Sequence, residues 1–427
     1  NAAKKLYRTS QGRPKMAFDP EILSREFSIL RILSSKGPFH YMDNAAMAQI
    51  PDCVINAMVE HETTRRSNVK RGIHRLAEAA TEAFENARTS IAGYLGVKNS
   101  NEIIFTGGTT AGINILALSF GQGLNQDDEI LLSELEHHSN IIPWQMLKQR
   151  RGVSIRYLPI TDDGRLDLKQ AETYITDKTR LVAVTHGSNV TGAITDVKSL
   201  ASLAHNMGAK LMLDGAQVVP HGPLNLTETS ADFYVFSGHK VYGPTGIGIL
   251  WGKMELLERL PPALGGGEMI REVTIKSSTF EEPPHRFEAG TPPVSQAVGL
   301  AAATEWLGRQ DIPGIHRHLT GLTERIMEGL ISIDDRMDRI RILGPGLNKP
   351  RLSLVSFAIR DIHPHDICQF LNDRHGVALR GGYHCAQPLH ELYNLNGSTR
   401  ASLAAFNNVD DVHAFLNGIE DCIRHLG

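Results

Sequence analysis

Asp232-Phe233-Tyr234-Val235-Phe236-Ser237-Gly238-His239-Lys240-Val241-Tyr242-Gly243-Pro244-Thr245-Gly246 is the stretch that decides the fold. Phe233 to Phe236 is an apolar run of strand length, and it empties into small residues, a His239-Lys240 pair and a Gly/Pro loop. Lysine heads normally reach for water, so a lysine delivered to the end of a buried strand calls for a partner or a depressed pKa. For a lone lysine a solvated strand end is the commoner arrangement. A second strand end upstream, Leu211-Met212-Leu213-Asp214-Gly215-Ala216-Gln217, changes the balance by offering a carboxylate in a matching position. An open α/β sheet places its ligand at the carboxyl ends of its strands. An amine and an acid there suit pyridoxal phosphate, whose aldehyde takes the amine and whose pyridinium nitrogen takes the acid.

Working outward, seven runs predict strands: Glu102 to Phe105, Glu129 to Leu132, Val153 to Leu158, Leu181 to Val184, Leu211 to Leu213, Phe233 to Phe236 and Ile247 to Trp251. Their continuous Val/Ile/Leu content implies burial on both faces, hence an α/β fold with a mostly parallel sheet under two helical layers. Helical periodicity spans Leu76 to Leu95, ending at Gly96, and Asp196 to Met207, with Asp196 as N-cap and Gly208 past its end. Pro20 to Leu33 reads as one amphipathic helix, and Tyr41 to Ala46 as a short strand and turn. After Gln310 the order becomes a helix (His316 to Ile331), a strand (Leu352 to Ile359), a helix (His365 to Arg374), strands at Val377 to Arg380 and Thr399 to Phe406, and a last helix from Val409 to His425. The expected organisation is an arm or tag over 1–15, with Met16 as a possible start; a helix within 16–37 packing on the small domain; a large cofactor-binding domain over 38–307; and a smaller α+β C-terminal domain over 308–427.

With 427 residues, 41% hydrophobic and 21% charged, the chain has the bulk of a globular enzyme. A net charge of −3 leaves no footprint for nucleic acid or anionic lipid, and no apolar run reaches the length of a membrane span. A cytoplasmic protein is expected, or one of an organelle stroma or matrix after processing. Cys53, Cys368, Cys385 and Cys422 show no CxxC pairing, which argues against a disulfide framework or a metal site. Cys53, Cys368 and Cys422 read as small hydrophobes in apolar settings.

Cys385 differs. It lies in Arg380-Gly381-Gly382-Tyr383-His384-Cys385-Ala386-Gln387-Pro388, where paired glycines predict a mobile loop and the nearby Arg380 and His384 favour a thiolate. Thr106 to Gly112, with Thr109 and Thr110, opens a helix after a strand and can cradle an anion, without a Walker or GxGxxG pattern. Within Glu136-His137-His138-Ser139-Asn140 the two rings point apart, so one histidine is free to stack on a cofactor ring while the other packs or faces solvent. Asn189, in a turn after another strand, can donate to the cofactor's ring hydroxyl, and Arg400 can clamp a carboxylate.

Ser237 to Lys240, Leu213 to Gln217, Glu136 to Asn140, Arg286-Phe287-Glu288-Ala289-Gly290-Thr291 and Arg380 to Pro388 together resemble the type II (Suf-class) cysteine desulfurases, class V aminotransferase-like enzymes of fold-type I. The resemblance runs from about Phe18 to Gly427. It implies that Lys240 holds pyridoxal phosphate and later takes the substrate Cα proton, that Asp214 pairs the ring nitrogen, that His137 stacks on the ring and that Gln217 meets its hydroxyl. It further implies a phosphate site of Thr109, Thr110, Ser237 and His239, with Thr291 reaching across from the second subunit of a homodimer. Asn189 and Arg400 would bind the carboxylate of L-cysteine, with Arg380 and Arg71 bordering the pocket. Cys385 would take the substrate sulfur as a persulfide, release alanine and pass the sulfur to a small acceptor protein for iron-sulfur cluster assembly or a related supply. Tyr383, Gly381 and Lys70 depart from the family pattern, which favours histidine, threonine or serine, and histidine at those places. A selenocysteine lyase of the same fold is the nearest alternative, followed by an aminotransferase or epimerase and by a non-catalytic scaffold.

Overall fold

The computed structural model describes residues 18–334 and 339–427, so the expectations for an arm or tag over 1–15 and for Met16 lie outside the described residues. A two-residue strand, β1 (His40–Tyr41), precedes the main sheet. That sheet holds all seven expected strands: β2 (Ile103–Thr106), β3 (Glu129–Ser133), β4 (Ser154–Leu158), β5 (Thr179–Thr185), β6 (Lys210–Asp214), β7 (Phe233–Ser237) and β8 (Gly248–Gly252). Their order is β2-β8-β7-β6-β5-β3-β4. Only β8 runs against its neighbours β2 and β7, as a strand joined to β7 by a short Gly/Pro turn must. Every residue of β2, β7 and β8 is buried, which is the reason these segments read as unbroken apolar runs.

The sheet order reverses between β3 and β5. Chain ends of β3, β5, β6 and β7 therefore converge on one crevice, where doubly wound sheets bind ligands. Helices Arg75–Tyr94 and Val197–Asn206 form where periodicity places them, the second capped by the Asp196 carboxylate, which accepts from the Ser199 amide. An exposed hairpin, β9 (Ile270–Val273) and β10 (Ser278–Phe280), follows the sheet and has too little apolar alternation to announce itself.

The C-terminal part is an antiparallel sheet of β11 (Ile340–Leu343), β12 (Leu354–Ile359), β14 (Arg380–Gly382) and β15 (Ser398–Ser402), in the order β11-β12-β15-β14. The segment between these, β13 (Val377–Ala378), pairs instead with β1 in parallel, His40 opposite Val377. Val377 to Arg380 is thus two strands rather than one, because its halves bond to different partners. The strand expected over Thr399 to Phe406 stops at Ser402, since the Asn407 side chain accepts from the Ala404 amide and closes a turn.

Pro20 to Leu33 is not one helix but two, Pro20–Ser24 and Ser28–Ser34. The break lets Phe27 plunge into an aromatic cluster with Tyr242, Trp306 and Phe406, with ring centroids 5.0–6.2 Å apart. Burial of that ring outweighs the few backbone bonds of a continuous helix. Cys53, expected in an apolar setting, is exposed on helix Asp52–Thr64; Cys422 is buried and Cys385 exposed. Among the described residues no helix is long and apolar enough to cross a membrane.

Candidate active site

A cavity of ≈ 190 Å³ opens at the crevice, and it gathers Thr109, Thr110, His137, Asn189, Asp214, Gln217, Ser237, His239, Lys240, Arg380, Cys385 and Arg400. Most of the main-sheet residues arrive just past a strand's carboxyl end, whereas Arg400 lies within β15 and Cys385 in the segment after β14. Asp214 closes β6, Lys240 follows β7 in the turn Gly238–Lys240, His137 follows β3 and Asn189 follows β5. Gly215 is required after Asp214 because a Cβ there would overlap the Tyr234 ring.

Lys240 and Asp214 are the opposed charges of the site. Burial pushes the Lys240 amine down to about 8, with Asp214 pulling the other way. Burial likewise raises Asp214, against the pull of Lys240. Asp214 Oδ1 accepts from the Ala216 amide at 3.0 Å, which fixes the carboxyl at the strand end.

At the opposite side, Gly108 at φ 128 turns β2 into helix Thr109–Phe120, a backbone that a side chain would strain. The Thr109 amide and hydroxyl both bond Ser237 Oγ at 2.8 Å, and Thr110 Oγ1 lies 2.6 Å from Ser139 Oγ. Hydroxyls and the helix N-terminus thus form an anion cradle, with His239 alongside. Burial, then the Lys240 charge, pushes His137 down to about 3, so its ring is neutral. The Ser139 amide donates to His137 Nδ1 at 3.1 Å, which leaves the proton on Nε2.

Arg400 is buried on β15. Its Nη2 meets Asp43 Oδ1 at 3.2 Å and its Nη1 donates to the Asn189 carbonyl at 3.0 Å, while buried Nε has no partner. Gln217 Nε2 donates to the Ala45 carbonyl at 2.8 Å.

The segment around Cys385 is docked rather than loose. The His138 amide donates to the Cys385 carbonyl at 2.7 Å, Asn189 Nδ2 to the His384 carbonyl at 2.8 Å, and the Gln387 amide to His138 Nε2 at 3.1 Å. His384 and Cys385 both sit at positive φ, 50° and 56°, a conformation that these bonds maintain. His384 does not supply the positive charge expected beside the thiol: burial drives it down to about 2, so the ring is neutral. His390 Nδ1 must donate to the Ala386 carbonyl, so Ser398 Oγ donates to His390 Nε2 and accepts from His384 Nε2, at 2.9 and 3.0 Å. The cations near Cys385 are Arg380, Arg400 and Lys240.

Two expected residues lie outside this cavity. Arg71 pairs with Glu268 at 3.4 Å, and Thr291 is exposed. Sequence reasoning also passed over Glu136. Its carboxyl is buried between strand ends, accepting from Ser133 Oγ, from the Thr185 amide at 2.9 Å and from Asn140 Nδ2 at 2.7 Å, and burial pushes it up to about 8. Asn140 in turn accepts from Trp144 Nε1 at 2.9 Å. The motif Glu136-His137-His138-Ser139-Asn140 is visible in the sequence, but the burial of its carboxyl against β5, through the Thr185 amide, is not.

This donor set fits pyridoxal phosphate: a buried amine, a buried carboxyl at its side, a hydroxyl and amide cradle, and a neutral ring between them. Residues 40–415 match the family described as aminotransferase class-V. The chain belongs to that family, among its cysteine desulfurases. The class-V relatives include a "Probable cysteine desulfurase" of Streptomyces coelicolor, 42% identical over 96% of this chain and 98% of that protein. A cysteine desulfurase of Haloferax volcanii is 41% identical over 91% of this chain and 90% of its own. Among solved class-V structures, the cysteine desulfurase CsdA of Escherichia coli, in an S-sulfonic acid form, superposes with a TM-score of 0.87 at 35% identity, covering 96% of this chain and 100% of its own. The apo cysteine desulfurase of Thermococcus onnurineus gives 0.90 at 35% identity, covering 97% and 100%. This class-V family depends on pyridoxal phosphate.

Proposed function

We infer that this chain removes sulfur from L-cysteine through Lys240 and Cys385, leaving alanine and a Cys385 persulfide. The activity is that of a pyridoxal-phosphate-dependent cysteine desulfurase. The observation that carries the residue assignment is the placement of a buried amine with a lowered pKa and a surface-reaching thiol on one cavity, delivered by different sheets.

When bound, pyridoxal phosphate supplies an electron sink for the substrate Cα. Lys240, with a free-base amine accessible near neutral pH, holds the cofactor and moves the Cα proton. Asp214 keeps the ring nitrogen protonated, neutral His137 covers the ring, Gln217 and Asn189 present amides to polar groups of the bound pair, and Thr109, Thr110, Ser237 and His239 receive the phosphate. Arg400 uses its unpartnered Nε, with Arg380 at the rim, to orient the substrate carboxylate. The Cys385 thiolate then bonds the substrate sulfur; the Cβ–S bond breaks with its electron pair left on carbon, and a proton delivered to Cβ completes alanine.

We further place the chain in the type II, Suf-like group and propose that it works as a homodimer. Support for the dimer comes from one connected region: Arg71 bonds Glu268, the Gly290 amide bonds the Gly267 carbonyl, and Ile73 and Ile275 nearby in sequence are fully exposed. Arg71 and Thr291, outside their own cavity, suit a site completed from the second subunit. An exposed Cys385 suits hand-over of sulfur to a small acceptor protein, and a free thiol suits the cytoplasm, or an organelle stroma or matrix. A domain division at about 307 and 308 is supported by the separation of the seven-stranded sheet from the four-stranded one.

Exposure of the purified holoenzyme to L-cysteine, followed by mass spectrometry of the Cys385 peptide, is expected to show one added sulfur. Cys385→Ala should lower alanine production from cysteine by roughly 100-fold or more. Unchanged turnover would remove Cys385 from the reaction and favour the selenocysteine lyase reading.

A further inference from the structure

We propose that His138 is a positioning residue that docks the Cys385 segment onto the sheet carrying the cofactor site, by capping the helix that begins just after the cysteine. Helix Gln387–Leu392 has no side-chain cap of its own; its N-cap residue, Ala386, has no side-chain acceptor to offer. The first amides of a helix have no partner inside it, so such a helix needs an acceptor from elsewhere. His138 supplies one: the Gln387 amide donates to His138 Nε2 at 3.1 Å. The same residue's main-chain amide donates to the Cys385 carbonyl at 2.7 Å. One residue in the turn after β3 therefore grips the chain on both sides of Ala386, at the Cys385 carbonyl and the Gln387 amide.

The bond requires Nε2 to carry a lone pair, so the ring is neutral with its proton on Nδ1. Burial, which lowers the His138 pKa, favours this form. His138 adjoins His137, so the ring assigned to the cofactor and the clasp on the thiol belong to one turn, His138–Asn140 and its flank. Gly381 and Gly382 stand at the other end of the segment. Without the cap, the main-chain bond from His138 and the Asn189 bond to His384 remain, so the segment loosens without leaving.

The kinetic arm of the test rests on the desulfurase reading; the labelling arm does not. His138→Leu removes the acceptor, His138→Gln restores one at the position of Nε2, and His138→Asn places it at the position of Nδ1. Iodoacetamide labelling of Cys385 in the resting holoenzyme, read on its own peptide, should quicken by roughly three- to tenfold in H138L and H138N and stay near wild type in H138Q, as loss of one hydrogen bond implies. In a single turnover with L-cysteine, persulfide formation on Cys385 should slow by a similar factor in H138L and H138N. The change in the cofactor's visible absorption on mixing should keep its wild-type rate in all three.

Equal labelling and persulfide rates in H138L and wild type would overturn the proposal. So would H138Q behaving as H138L, or an absorption change slowed as much as persulfide formation, which would route the effect through His137. If H138L does not fold, the contrast between H138Q and H138N decides. Absence of a persulfide in the wild type would overturn the assignment of Cys385 instead, and the labelling contrast would still test the clasp.

Discussion

Asp214 and Lys240 oppose each other across the same cavity from the ends of two neighbouring parallel strands, and each weakens the shift that burial imposes on the other. Neither group would be tolerated alone at such depth. Lys240→Ala is expected to lose the tethered cofactor's visible absorption and to lower alanine formation by roughly 10³-fold. Pyridoxal phosphate retained after gel filtration, with unchanged activity, would show that another amine holds it.

Arg400 spends both Nη atoms on Asp43 and the Asn189 carbonyl and keeps Nε in reserve. Lysine preserves the charge but not the fork. Arg400→Lys should raise KM for L-cysteine by roughly 10- to 100-fold, the loss of one charged hydrogen bond, with a smaller change in kcat. Steady-state kinetics read the split, and an unchanged KM would take Arg400 away from the substrate.

Glu136 binds its proton more tightly folded than unfolded, since burial lifts it from 4.5 to about 8. Its contribution to stability is therefore complete below the unfolded value and is lost as pH rises through the folded one. Thermal unfolding of wild type and Glu136→Gln without cofactor, from pH 5 to 9, should show the wild type losing roughly 2 °C or more relative to the variant across that window. Parallel curves would mean that Glu136 stays in one protonation state.

Arg88 is fully buried and meets Glu288 through two bonds, 2.6 and 2.9 Å, while Glu288 Oε1 also accepts from the Phe105 amide at 2.8 Å. The cluster ties β2 to the segment that carries Thr291. Arg88→Ala leaves a carboxylate buried without its cation and should lower unfolding stability by about 3–5 kcal/mol, measured by chemical denaturation. A loss under about 1 kcal/mol would mean that water or a neighbouring group replaces the guanidinium.

Part of the fold and of the site is legible in the sequence. The strands Phe233 to Phe236 and Leu211 to Leu213 announce themselves because burial on both faces demands unbroken apolar runs; Asp214 and Lys240 stand out because charge ends such runs, and Cys385 because its thiol follows paired glycines beside Arg380 and His384. The single helix drawn over Pro20 to Leu33 failed because its period is local, whereas the pull on Phe27 comes from Tyr242, Trp306 and Phe406, distant in sequence.

By itself, then, the sequence determined the layered α/β architecture, the order of its strands along the chain and the chemical types available at the strand ends. Only the tertiary structure decided the spatial order β2-β8-β7-β6-β5-β3-β4, the split of Val377 to Arg380 between two partners, and the docking of Cys385 onto His138. The physical reason is the range of the forces involved. Periodicity and propensity act within a few residues, while pairing of buried polar groups joins residues hundreds apart, and the cost of leaving one unpaired selects a single arrangement.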